Sequence, residues 1–192
     1  MKIRLFFLLL VGILVFSCNT LNKKSIGNNQ SSCYIDFYKG VLEQPISKAK
    51  TTLREKYYVV ETEMYEEGES WPALKGCETI GCASPTIIAE TSWLDKNLIQ
   101  RLQILKGSIF IHEDSIRIGM LFYELSKYVS SEIPNAPDGY FFVKDKHCSN
   151  VFYQLQSIDK DSTLFYGRVS KLNQVPKNAI IEKIIVNSLN RE

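Results

Sequence analysis

Apolar side chains recur with two different periods along this chain, and the first period is helical. After Pro45, the residues Ile46, Ala49 and Leu53 are three or four positions apart, which places them on one face of a helix. Pro45 suits the start of a helix, because the first helical position needs no backbone N–H. The pattern predicts a helix over about 45–56.

A second helix is predicted over about 92–105. Ser92 is a favourable N-cap, Asp95 would place a negative charge in the first turn, and Gly107 provides a stop. Apolar side chains that fit one helical face lie at positions 94, 98, 99, 102 and 105. Between the two helices, 61–69 contains five glutamates and is predicted to be a loop with a solvated acidic face. Calcium binding is the alternative, but the alternating Asp/Asn pattern of a calcium loop is absent.

The second half of the chain changes to the pattern of β-strands. The runs 108–112 and 115–118 are rich in isoleucine and flank Glu113-Asp114, which predicts a hairpin. The segment 116–129 fits either a strand or a helix. Further strands are predicted over 140–143, 151–158, 163–169 and 180–186.

Together these patterns predict an α+β fold with a mainly antiparallel sheet in the C-terminal half and helices packed on one face of it. A β-barrel is the alternative. We expect residues 33–192 to form a single globular domain, because a chain of this size buries roughly 70% of its unfolded surface in one core.

The N-terminus has the pattern of an export signal. Lys2 and Arg4 precede twelve residues, 5–16, that are all apolar or glycine, and Ser17-Cys18 follows. As a helix this run would span only ~18 Å, against roughly 30 Å for the hydrocarbon core of a membrane. The segment resembles the signal peptide and lipobox of a bacterial lipoprotein. A plain secretory signal and an uncleaved anchor are the alternatives.

The resemblance implies a signal peptide over 1–17, cleavage before Cys18, and attachment of acyl chains such as palmitate to Cys18. The membrane would then be a partner through this lipid, and two or three chains anchor a protein stably. The polar segment 18–32 would be a flexible tether. Asn19 follows the cysteine where an inner-membrane retention signal has Asp, which favours the outer membrane of the cell envelope.

Four further cysteines, an even number in an exported chain, predict disulfides. Four residues separate Cys77 from Cys82, and the glycines that precede them, Gly76 and Gly81, allow a tight turn to join the two cysteines. Cys33 would then pair with Cys148. Sequence alone leaves three pairings open. A metal site of Cys77, Cys82, His147 and Cys148 is disfavoured, because structural zinc sites usually show Cys-x2-Cys spacing. No metal or cofactor is therefore predicted.

Charge and motifs exclude several functions. Loss of Lys2 and Arg4 with a signal peptide would leave equal numbers of basic and acidic residues, so nucleic acid is not an expected partner. The chain has two histidines, His112 and His147, but neither a G-x-S-x-G nor an H-E-x-x-H motif. An envelope hydrolase using His112 or His147 is the alternative hypothesis, and no catalytic residue is assigned.

Paired aromatic residues favour a binding function. Alternation along a strand sends neighbours to opposite faces, so one ring fills the core and the other faces outward, where it can contact a ligand or protein. Ordinary core packing is the alternative explanation. The sequence therefore predicts a lipid-anchored, non-catalytic binding or interaction module of the cell envelope, with an envelope protein as a candidate partner. The aromatic clusters lie at 34–38, 57–58, 122–123, 140–142 and 152–153.

Overall fold

A computed structural model describes residues 38, 40–111, 114–134, 140–157 and 169–188. Several predicted features lie outside these residues: the signal peptide 1–17, Cys18, the tether 18–32, Cys33, His112 and nearly all of the strand predicted over 163–169. No helix in the described part of the chain is long and apolar enough to cross a membrane.

The described residues form nine strands and two α-helices. The helices are α1 (Ile46–Arg54) and α2 (Phe122–Leu125). The strands are β1 (Tyr58–Glu66), β2 (Glu69–Cys77), β3 (Ile87–Glu90), β4 (Arg101–Ile104), β5 (Ser108–Ile111), β6 (Asp114–Arg117), β7 (Phe141–Lys144), β8 (Val151–Gln156) and β9 (Ile180–Asn187). Seven strands form one antiparallel sheet in the order β1-β2-β3-β4-β9-β8-β7, and β5 pairs with β6 in a separate hairpin.

The prediction of an α+β fold with helices packed on one face is wrong, because the described chain is predominantly antiparallel sheet. The two α-helices have only nine and four residues. The alternative of a β-barrel is also wrong, since β1 and β7 lie at opposite edges of the large sheet and are not paired with each other in the described residues. The physical reasons lie in two segments of the first half.

The helix predicted over 92–105 is instead a turn followed by strand β4. Ser92 does accept a hydrogen bond, from the backbone N–H of Asp95 at 3.0 Å, but it closes a turn rather than a helix. Leu102 and Ile104 of β4 are buried in the core, and Gln103, on the opposite face of the sheet, is buried beside Glu90, to which it donates a hydrogen bond. Polar and apolar residues alternate over only the four residues of β4, whereas the apolar residues from Leu94 to Leu105 fit helical spacing over twelve, so the longer pattern favoured a helix.

The loop predicted over 61–69 is instead the hairpin of β1 and β2. Glu67 and Gly68 connect the strands with φ angles of 51° and 89°, the left-handed conformation that two-residue hairpin turns require. The glutamates of β1 are compatible with a strand because β1 is an edge strand, where charged side chains remain in solvent.

Other predicted elements are confirmed. Helix α1 buries Ala49 and Leu53, and the hairpin predicted around Glu113-Asp114 is formed by β5 and β6, although residues 112–113 lie outside the described part. Strands β7, β8 and β9 lie at three of the predicted positions. The ambiguous segment 116–129 contains both the end of β6 and helix α2.

The hydrophobic core lies on one face of the large sheet. Leu74, Leu102 and Ile184 of the sheet share this core with Leu53 of α1 and Leu125 of α2. The β5–β6 hairpin adds buried side chains to the same cluster, namely Ile109, Ile111 and Ile116. Helix α1, helix α2 and the β5–β6 hairpin therefore cover the same face of the large sheet.

The predicted disulfide between Cys77 and Cys82 is confirmed, with Cα atoms 5.3 Å apart. Gly81 has a φ of 92° beside Cys82, as the tight turn requires. Gly76 has a different role, because a Cβ atom there would lie 2.7 Å from Cγ2 of Ile87. Its lack of a side chain leaves room for the side chain of Ile87 on the paired strand β3.

Candidate binding surface on the open face of the sheet

Alternation along β7 and β8 divides their aromatic side chains between two environments. Phe141 and Tyr153 are buried in the core, whereas Phe142 and Phe152 are only partly buried. The pairing of Phe142 with Gln154, and of Phe152 with Ile185, places these four side chains on the face opposite the core. Each of these aromatic pairs thus has one ring in the core and one on the opposite face of the sheet.

This second face carries an open depression of about 650 Å³. Its size lies in the range typical of sites for small molecules. Each of the seven strands of the large sheet contributes at least one lining residue. The lining side chains used below are Trp71, Glu90, Arg101, Gln103, Tyr140, Phe142, Phe152, Gln154, Lys183, Ile185 and Asn187.

A hydrogen-bonded carboxylate forms part of the floor. Glu90 is only 1% exposed, and both of its oxygens accept hydrogen bonds: Oε2 from the indole Nε1 of Trp71 at 3.1 Å, and Oε1 from Nε2 of Gln103 at 2.7 Å. The guanidinium of Arg101 lies 3.5 Å from Oε1 and also donates to Oδ1 of Asn187 at 3.3 Å. A buried charge needs such partners, because desolvation without them is costly.

Lys183 provides a second cation at the floor. Burial lowers the pKa of its ammonium group, Arg101 lowers it further, and the nearby carboxylates of Glu182 and Glu90 oppose that shift. Glu182 is an extra residue in β9 where the pairing with β8 shifts register, and its carboxylate accepts a hydrogen bond from Nε2 of Gln154 at 2.7 Å. This β-bulge therefore places the carboxylate of Glu182 near Lys183.

Aromatic rings line one side of the depression. Tyr140 is 53% exposed, and its ring centroid lies 6.3 Å from that of Phe142. Together with Phe152 they present apolar surface beside the polar floor. This combination of ring faces with a few oriented polar groups is typical of sites that bind small organic ligands.

The histidines considered for hydrolysis do not contribute described side chains to this depression. His147 is exposed in the turn between β7 and β8 and does not line it, and His112 lies outside the described residues. The turn is held by buried Asp145, whose Oδ1 accepts from the N–H groups of His147 and Cys148, both at 2.8 Å. The hydroxyl of Tyr153 donates to Oδ2 at 2.7 Å. His147 thus belongs to a structural turn.

The cysteines considered for metal binding are used in disulfides. Cys77 and Cys82 are bonded to each other, and Cys148 is also disulfide-bonded. Cys33, its predicted partner, lies outside the described residues, so that pairing stays a prediction. Within the described ranges no three side chains of His, Cys, Asp and Glu are grouped closely enough to hold a metal ion.

Sequence reasoning missed the polar floor. Glu90 is the last residue of β3, Gln103 alternates with Leu102 and Ile104 in β4, and Lys183 follows Glu182 between the isoleucines of β9. Polar residues within these strands were the available signal. The sequence did not show that β3, β4 and β9 are neighbours, because β4 and β9 are separated by about eighty residues along the chain.

No protein-family model and no curated protein sequence matches this chain. Its structure is similar to the crystal structure of the uncharacterized protein yfeY from Escherichia coli, with a TM-score of 0.56 and 15% sequence identity. The similarity covers 78% of this chain and 96% of that chain. At this identity the likeness concerns the fold alone.

Proposed function

We propose that this protein is a lipid-anchored, non-catalytic binding module of the cell envelope, and that the open face of its large sheet is the binding surface. The observation that carries the proposal is the depression, in which partly exposed aromatic rings adjoin a buried polar floor. One face of an antiparallel sheet usually remains in solvent with simple polar side chains. Here that face instead offers ring surface and oriented polar groups.

The anchoring half of the proposal depends on Cys18 and the lipobox resemblance. An alkyne-bearing fatty acid supplied to cells is expected to label the wild-type full chain and not the Cys18→Ser variant. Cys148→Ser is the matched control, because it also removes one sulfur but leaves the lipobox intact. Labelling that persists in Cys18→Ser, or that is absent from the wild type, would contradict lipidation at Cys18.

The binding half can be tested by photo-crosslinking in living cells. Tyr140 at the rim of the depression is 53% exposed, and Tyr123 on helix α2 is 59% exposed but does not line it. Substituting either tyrosine by benzoylphenylalanine therefore places the same reactive group at two similarly exposed positions. We expect adducts, seen as added mass on the intact protein, at position 140 and not at 123.

Equal adduct formation at both positions, or none at 140, would contradict the proposal. Intact mass is the readout because it detects a small molecule as well as a protein. The result therefore does not depend on knowing the class of ligand in advance.

A further inference from the structure

Lys183 is a cation of the depression that forms no ion pair with the described residues. Both oxygens of Glu90 are occupied by donors, and the guanidinium of Arg101 is shared between Glu90 and Asn187. The ammonium of Lys183, in contrast, has no hydrogen-bond acceptor and no carboxylate within 4 Å among the described residues. A partly buried cation of this kind favours an anionic ligand group.

Apolar side chains lie near Lys183 in the sheet, next to its polar neighbours. The register pairs Lys183 with Gln154, which in turn pairs with Phe142, so these three lie in one row across β9, β8 and β7. The adjacent row contains Phe152 paired with Ile185. All of these side chains except Gln154 are only partly buried, so a ligand on the cation would also contact apolar surface.

We propose that the depression binds a single-chain fatty carboxylate, with its carboxylate on the ammonium of Lys183 and its chain along Phe142, Phe152 and Ile185. The charge complementarity and the neighbouring apolar rows carry the inference. A volume of about 650 Å³ suits one such chain rather than a folded partner. The inference rests on the proposed function, because it gives a ligand to the same surface.

The test uses three photoactivatable C12 probes with a diazirine in the chain and a carboxylate, a trimethylammonium or a neutral glucoside head. The full chain in its own membranes is irradiated with each probe, and labelled peptides are identified by mass spectrometry. We expect the carboxylate probe to label peptides of β7, β8 and β9 at least about tenfold more than the cationic probe, as one charge-assisted hydrogen bond allows.

Two variants separate charge from shape. Lys183→Met keeps an unbranched side chain and removes the charge, and it should lower labelling by the carboxylate probe about tenfold. Lys183→Arg keeps the charge and should retain most of the labelling by the carboxylate probe. Lys75→Met is the matched control: Lys75 lies on the same face of the sheet but outside the depression, and its loss should leave labelling unchanged.

Equal labelling by all three probes, or labelling that Lys183→Met does not lower, would overturn the fatty-carboxylate inference. Absence of labelled β7–β9 peptides with the carboxylate probe would do the same. If crosslinking from position 140 still yields adducts in these cases, the surface binds another ligand and the proposed function survives. If position 140 yields none either, both fail.

Discussion

Glu90 is a charged side chain that the fold keeps almost fully buried, and its hydrogen bonds explain how. The indole of Trp71 and the amide of Gln103 donate to its two oxygens, and Arg101 provides the opposite charge. A residue of this kind fixes the positions of its neighbours, because each of them would lose a partner if it moved. The floor of the depression is therefore expected to be rigid.

Replacing Glu90 by glutamine tests this role. The amide has nearly the same shape, but its NH2 group would face a donor, so at least one buried donor loses its acceptor. We expect Glu90→Gln to lower the free energy of unfolding by about 1–3 kcal/mol in urea titrations. Glu69→Gln is the control, because Glu69 is exposed at the start of β2. This substitution should change the free energy of unfolding by less than about 0.5 kcal/mol. Equal effects of the two substitutions would refute the role of the network.

Lys183 should destabilise the fold near neutral pH. Because its pKa in the folded protein is lowered from 10.5, the folded state holds the proton more weakly than the unfolded state does. The cost is therefore full at pH values below the folded pKa and disappears as pH rises towards the unfolded value. We expect Lys183→Met to raise the unfolding temperature at pH 7, with a gain over wild type that shrinks at alkaline pH.

Thermal unfolding followed by circular dichroism at several pH values measures this gain. Lys75→Met reports the effect of adding a methionine to the same face outside the depression. A gain for Lys183→Met that is unchanged from pH 7 to alkaline pH would show that burial of the charge is not its cause.

The side chain of Ile87 in β3 lies directly against Gly76 in β2, where there is no side chain. A methyl group at this position would lie 2.7 Å from Cγ2 of Ile87, a buried and β-branched residue that cannot easily move. We expect Gly76→Ala to destabilise the protein by about 1–3 kcal/mol through overpacking. Urea unfolding without reductant, which keeps the Cys77–Cys82 disulfide, measures the change.

Ser70→Ala near the other end of β2 is the matched control, since Ser70 is partly exposed and its hydroxyl makes no hydrogen bond within the described residues. It should change stability by less than about 0.5 kcal/mol. A Gly76→Ala variant as stable as Ser70→Ala would show that the Ile87 side chain can move aside at no cost.

The elements that sequence predicted correctly are those with a local signal. Helix α1 has apolar side chains at helical spacing after Pro45, and β5–β6 has two β-rich runs around a polar turn. Strand β4 was assigned to a helix because its alternation extends over only four residues, while the apolar residues from Leu94 to Leu105 fit helical spacing. The β1–β2 hairpin was missed because its edge strand is rich in glutamate.

At the scale of the whole molecule, the large sheet has two different faces. One packs against α1, α2 and the β5–β6 hairpin, and the other carries the depression. The aromatic pairs in the sequence pointed to such a surface, but its polar floor depends on strand order. Glu90 of β3 and Lys183 of β9 become neighbours only because β9 adds to the sheet beside β4.

Lysine footprinting tests most directly whether the open face is occupied in its own environment. Lys183 and Lys75 lie on the same face, inside and outside the depression, and an amine-reactive reagent can modify both. We predict that Lys183 is modified several-fold less in isolated envelopes than in the purified full chain, while Lys75 is modified equally in both. Equal modification of Lys183 in the two preparations would contradict the account of this face as a binding surface.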